Sequence, residues 1–152
     1  MRKDSKLSRM LHVLLHMARE KKPFTSEQIS IMLDTNPVVV RRTMSGLKKA
    51  GFVHADKGPG GGWTLVQALE QISLFDIYQA VGEPTIFAIG NEQETPNCLV
   101  ELVVNKALNQ AMQEAQNILL QQLKATNLSK LAQDFEYEWN LLGAETEKFI
   151  VH

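Results

Sequence analysis

One stretch, NPVVVRRTMSGLKKAGFVHADKGPGGGWTL from Asn36 to Leu65, limits the folds open to this 152-residue chain more than any other. Asn36 can cap a helix and Pro37 suits its first position, where a missing N–H costs nothing. Val40, Met44 and Leu47 then recur at i, i+4 and i+7, the spacing of a buried stripe. The other side carries Val38, Val39, Arg41, Arg42, Ser45, Lys48 and Lys49. Gly51 follows the basic last turn as a helix stop. Phe52–Asp56 reads as a strand and Trp63–Leu65 as its partner, with Gly58, Pro59, Gly60, Gly61 and Gly62 between them. A helix, a glycine stop and a glycine-tipped hairpin in that order form the second half of a winged helix-turn-helix.

The first half lies immediately upstream. Over residues 5–21, Leu7, Met10, Leu11, Leu14, Leu15, Met17 and Ala18 recur with a period near 3.6, which predicts an amphipathic helix. Arg9, His12, His16 and Arg19 interrupt that apolar run, so it does not read as the core of a signal peptide. Pro23 stops the helix. Thr25-Ser26-Glu27-Gln28 is a capping box opening a short second helix, with Ile29, Met32 and Leu33 facing inward. Asp34-Thr35-Asn36 separates it from the basic helix, the connection length of a helix-turn-helix.

Beyond Ala68 the character changes. Ser73 can cap a short helix through Val81, which packs back through Leu74, Ile77, Tyr78 and Val81. Residues 84–97 read as a loop with an apolar patch, Ile86 to Ile89, and acidic Glu92 and Glu94. Residues 98–126 contain neither Gly nor Pro, and Val100, Val104, Ala107, Leu108, Ala111, Ala115, Ile118, Leu119 and Leu123 form a sustained stripe. Such a helix reaches about 40 Å at 1.5 Å per residue, too long for a small winged domain to cover. A second copy is the simplest partner for its apolar stripe. Residues 128–133 suggest one more turn of helix. The tail at 135–151 places Phe135, Trp139 and Leu142 on one side, to dock on its own chain or on a partner. The expected fold is therefore mainly α with a small β-hairpin: a winged helix-turn-helix at 1–82, a connecting loop at 83–97, and a dimerisation helix with a C-terminal tail at 98–152.

Charge sharpens the functional reading. The balance of 16 basic and 17 acidic residues conceals a split: residues 1–57 hold 12 Lys/Arg against 5 Asp/Glu, and the remainder 4 against 12. A cationic module attracts polyanions such as double-stranded DNA, although by charge alone these Lys/Arg can equally serve only to solubilise this half. A helix of this kind fits the major groove. Val38 and Val39 can meet thymine methyls, Arg41 and Arg42 guanine edges or phosphates, and Ser45 and Lys48 the backbone. Val39 can equally pack against the first helix. Lys57 can enter the minor groove beside the small Gly60-Gly61-Gly62 tip. A protein-interaction module with a basic face is the alternative.

Catalysis has no motif to rest on, and no enzyme is expected. The four histidines, His12, His16, His54 and His152, adjoin no nucleophile, and the glycine run leads into a strand, whereas a phosphate loop leads into a helix. His12 and His16 have the i, i+4 spacing of two metal ligands, but Arg9 and Arg19 share their face and no third ligand is evident. No apolar run approaches a membrane span. The single cysteine, Cys98, excludes an internal disulfide and suits a reduced, cytoplasmic setting. At a helix N-terminus it has two readings: a thiol activated by the helix dipole as a redox sensor, or a half-buried cysteine packed at a dimer junction.

VRRTMSGLKKAGFV, followed by GPGGGWTL and ISLFDIYQAV, resembles the Rrf-two family of bacterial winged-helix transcriptional regulators, of the IscR, NsrR and CymR type, nearly to Gln133. The resemblance implies a homodimer built on the long helix, a roughly palindromic operator, and control of transcription, usually repression. By position it places Val38, Val39 and Arg41 at the base-facing sites of a recognition helix that begins at Asn36, and Lys57 at a wing position that enters the minor groove. Cluster-bearing members place three cysteines around the start of the long helix, since thiolates are the usual ligands. This chain has Cys98 alone, so no iron-sulfur cluster is expected, and the sequence names no effector.

Overall fold

The computed structural model describes residues 4–89 and 98–142. Its first element, α1 (Lys6–Glu20), buries Met10, Val13, Leu14 and Met17 at i, i+3, i+4 and i+7. The buried face is turned slightly from the expected one. Val13 is fully buried, whereas Leu11, Leu15 and Ala18 are only half-buried. The helix ends where Lys21 takes the left-handed conformation and donates its N–H to the Met17 carbonyl.

The capping box that opens α2 (Ser26–Met32) is complete: the Thr25 hydroxyl accepts the Gln28 N–H at 3.1 Å, and the Gln28 side chain accepts the Thr25 N–H at 2.9 Å. Ile29 and Leu33 enter the core, and Met32 is half-buried against it. After a short turn, α3 (Pro37–Lys49) buries Val40, Met44 and Leu47, as its spacing predicts. It closes on a Schellman motif. The Phe52 N–H reaches the Leu47 carbonyl and the Gly51 N–H reaches that of Lys48, which requires the left-handed φ of 85° at Gly51.

Strands β1 (Val53–Asp56) and β2 (Gly62–Leu65) pair antiparallel in the register Val53 with Leu65 and Asp56 with Gly62. Phe24 extends this hairpin from the other side, exchanging both backbone hydrogen bonds with Trp63 at 2.8 and 3.1 Å. A short 3-10 turn, Leu69–Gln71, leads to α4 (Leu74–Ala80), capped reciprocally by Ser73 and Asp76. Ile77, Tyr78 and Val81 are buried there. The fold is a winged helix-turn-helix, mainly α with one small hairpin.

The long helix is α5 (Leu99–Ala125), 27 residues, and none of them is buried. Leu99, Val100, Val103 and Ile118 are more than half exposed. Its far end is stitched to the winged unit, because the Leu74 N–H donates to the Thr126 carbonyl and the Leu128 N–H to that of Ile72, each at 2.9 Å. The chain then turns into α6 (Leu128–Leu142), which is longer than the single turn expected at 128–133. Nothing in the sequence interrupts it, and Lys130 pairs with Asp134 across one turn. Leu128 is fully buried in the same core as α1 and α3, and α6 lies against α1 and the 3-10 turn. The tail's aromatic face thus docks on its own chain, with the Arg19 guanidinium 4.9 Å from the Phe135 ring centre and 4.8 Å from that of Trp139. Glu92 and Glu94 of the acidic loop, and the tail beyond Leu142, lie outside the described residues. Among the described residues no helix is long and apolar enough to cross a membrane.

Candidate nucleic-acid interface

Burying Val40, Met44 and Leu47 fixes the rotation of α3, and that rotation decides what faces outward. Val38 is 58% exposed and Val39 50%, so the start of the helix presents apolar surface outward. Arg41, Arg42, Ser45, Lys48 and Lys49 are all exposed beside them. Val39 serves both readings the sequence left open, since one flank lines a small cleft with Ser5, Lys6 and Arg9 of the α1 end while half of its surface faces solvent.

Two of the polar candidates are engaged locally. The Asn36 carboxamide accepts the Val38 N–H at 2.8 Å, so its oxygen caps the helix. The Ser45 hydroxyl donates to the Arg41 carbonyl at 2.7 Å, one turn back. Arg41 itself reaches out of α3 to α2, where its Nη2 lies 2.7 Å from Glu27 Oε1. Sequence spacing held no signal for this pair, because Glu27 sits in the first turn of another helix. Among the described residues no carboxylate pairs with Arg42, Lys48 or Lys57.

The hairpin tip projects from Lys57, which is exposed, as are Gly58, Pro59 and Gly60. Its two candidate glycines are there for different reasons. A Cβ on Gly61 would lie 2.4 Å from the Asp56 carbonyl oxygen, so Gly61 is required by the turn itself. A Cβ on Gly60 would meet nothing within 4 Å, although its φ of 76° favours glycine. The outer face of the tip is therefore open to a surface brought against it. At the hairpin's stem His54 Nε2 stands 3.0 Å from Asp56 Oδ1, a solvent-exposed pair.

Cys98 lies some way along the chain from this face, at the N-cap of α5, and is exposed. The backbone N–H groups of Glu101 and Val100 hold its thiol below the ordinary cysteine range.

Residues 4–134 match the family model described as Rrf2, iron-dependent transcriptional regulator. The chain belongs to the Rrf2 family. It is 32% identical over 126 residues to YwnA of Bacillus subtilis (strain 168), named as an HTH-type transcriptional regulator, covering 82% of this chain and 92% of YwnA. Among solved structures, a Lactobacillus plantarum chain described as a transcriptional regulator superposes with a TM-score of 0.72 at 22% identity, covering 95% of this chain and 98% of that one. IscR of T. potens superposes with a TM-score of 0.63 at 15% identity and 91% coverage of both chains. At such identities the likeness carries the fold alone. With Cys98 as its single cysteine, the chain does not supply the three thiolates that a cluster held by three cysteines would need.

Proposed function

We propose that this Rrf2 protein is a homodimeric, sequence-specific regulator acting in the cytoplasm, which represses transcription by occupying a palindromic operator. The observation that carries the reading is the division of α3 into a fully buried stripe and an exposed face of Val38, Val39, Arg41, Arg42 and Lys48. Apolar side chains at its start suit thymine methyls, and the arginines suit guanine edges and phosphates. Lys57 and the open side of Gly60 suit a minor groove. Support for the dimer comes from α5, none of whose apolar residues is buried among the described residues. Two copies joined along that helix present two reading helices to two half-sites, which is why the operator is expected to be palindromic. Cys98 sits at the start of the same helix, and on this reading a thiol modification there would act on the spacing of the two heads.

Gel shift with duplex selected from a random pool tests the DNA face. Replacing Arg41 and Lys57 together by Ala should weaken binding at least about tenfold, each such contact being worth about 1–3 kcal/mol, and leave the sedimentation coefficient of the dimer unchanged. Binding on generic duplex should fall linearly with the logarithm of salt. A salt-insensitive complex, or unchanged affinity in the double variant, would favour a protein-interaction module.

A further inference from the structure

His12 and His16 lie one turn apart on α1, and the structure brings their rings together. Their Nε2 atoms are 3.0 Å apart, with ring centres at 4.8 Å and planes inclined by 47°. Two neutral imidazoles can share one proton in this arrangement. The same approach also lets both Nε2 lone pairs point at one cation. At the usual Zn–N or similar bond length of about 2.0–2.1 Å, donors 3.0 Å apart subtend an angle of about 94° at the metal. That is narrow for a tetrahedral ion and close to the cis angle of a tetragonal or octahedral one, the geometry that Cu(II) and Ni(II) favour with nitrogen and oxygen ligands.

The surroundings fit a ligand pair. His16 is mostly buried, its side chain 15% exposed, and its buried Nδ1 has no hydrogen-bond partner. Glu20, a further turn along α1, places Oε1 3.8 Å from that Nδ1. At that distance Glu20 makes no hydrogen bond to Nδ1, but its negative charge favours the proton on that nitrogen, the tautomer that leaves Nε2 bare. Arg19, which shares the helix face in sequence, directs its guanidinium onto the Phe135 and Trp139 rings. Among the described residues no third His, Cys, Asp or Glu joins the group.

We infer that His12 and His16 form a two-histidine site for a divalent transition-metal ion that accepts cis ligands, Cu(II) or Ni(II), with Glu20 as the positioning carboxylate. His16 also lines a cavity of about 280 Å³ between α1 and α6, together with Arg19, Leu69, Phe135 and Glu136. An ion bound to this pair stiffens α1 at the place where the return from the long helix docks.

Adding CuCl2 to the full-length protein and recording the electron paramagnetic resonance spectrum tests this directly. One Cu(II) per chain with hyperfine splitting from two imidazole nitrogens is expected. His12→Ala, a change at an exposed position, should abolish the two-nitrogen signal and weaken binding at least tenfold, whereas His54→Ala, His152→Ala and Cys98→Ser should leave both as they are. Glu20→Gln should weaken binding by about tenfold while keeping the two-nitrogen pattern. A two-nitrogen signal that survives in His12→Ala, or that disappears in His54→Ala, His152→Ala or Cys98→Ser, would overturn the assignment, as would the absence of any stoichiometric Cu(II) in the unaltered protein.

Discussion

The indole N–H of Trp63 donates to the Ser26 hydroxyl across 3.0 Å in the protein interior, tying the wing to the first turn of α2 over 37 residues of sequence. Phe24, two residues before Ser26, is paired through its backbone with Trp63 itself, so the wing is held at two adjacent points. Ser26→Ala leaves the buried indole N–H without an acceptor. Loss of about 1–3 kcal/mol of stability is expected. Urea unfolding followed by tryptophan fluorescence should show the midpoint falling at constant slope, and an unshifted midpoint would mean that water replaces the hydroxyl.

Gly46 lies on the opposite flank of α3. A Cβ there would stand 2.5 Å from the carbonyl oxygen of Ala80, which is backbone at the end of α4 and cannot rotate away. Alanine is the better helix former by about 1 kcal/mol. Overpacking costs about 1–3 kcal/mol and should win, so Gly46→Ala is expected to lower the melting temperature. A raised melting temperature would show that α3 and α4 separate without penalty.

The pair between Arg41 and Glu27 is exposed on both sides, so it contributes little to stability. Its consequence lies in binding, on the reading that α3 enters DNA. Glu27 stays charged at neutral pH, its carboxyl held below the usual range by its own backbone N–H first and also by the Arg41 guanidinium. It therefore repels phosphate and restrains Arg41 to one direction. Glu27→Gln should tighten binding to generic duplex while narrowing the difference between selected and unselected sequences. Competition gel shifts measure both, and an unaltered specificity ratio would show that Glu27 does not orient Arg41.

Features that are local in sequence were legible before the structure. Thr25 with Gln28, Asn36 with Pro37, and the stripe Val40, Met44, Leu47 each depend on residues within two turns of one another, and each forms as its spacing predicts. Contacts across long separations left no such trace. Neither the Arg41–Glu27 pair nor the Trp63–Ser26 bond repeats with a helical or strand period. Residues 128–133 and 135–142 read as separate pieces because their apolar positions face two surroundings: Leu128 and Leu131 meet the core, while Phe135 and Trp139 meet Arg19. One uninterrupted helix serves both. Of the candidate DNA-facing residues, spacing gave the exposed side of α3 and the Asn36 cap, but could not tell that Ser45 would direct its hydroxyl to the helix backbone itself.

His16 makes stability depend on pH. Burial first, then the charge of neighbouring His12, lowers its pKa from the ordinary 6.5; Arg19 acts in the same direction and Glu20 opposes. Glu136 of α6 lines the same cavity. In the unfolded chain His16 takes up its proton near its ordinary value, while the folded chain takes it up only at lower pH. The unfolded state thus binds more protons in that interval, and stability falls as pH drops from about 6.5 towards the folded value. Above it this residue contributes no slope. His16→Gln should flatten the pH dependence of urea midpoints between neutral and mildly acidic solution; an identical slope would assign the effect to other groups.

Cys98 offers a chemical readout of the start of α5. Its thiol is exposed, and the N–H groups of Glu101 and Val100 favour the thiolate. Thiolate is the reactive form, so iodoacetamide should modify the folded protein faster at neutral pH than the same protein in urea, where those N–H groups are no longer aligned. Reactivity by itself does not make a sensor. The sensor reading requires in addition that peroxide change operator affinity in the unaltered protein and leave Cys98→Ser unaffected. Equal alkylation rates in folded and unfolded protein would remove the activated thiol, and a Cys98→Ser protein that still responds to peroxide would move the switch elsewhere. If both conditions hold, the signal enters α5 at its N-cap, on the helix whose apolar stripe is proposed to join the two copies, and a change there alters the distance between two reading helices without touching either.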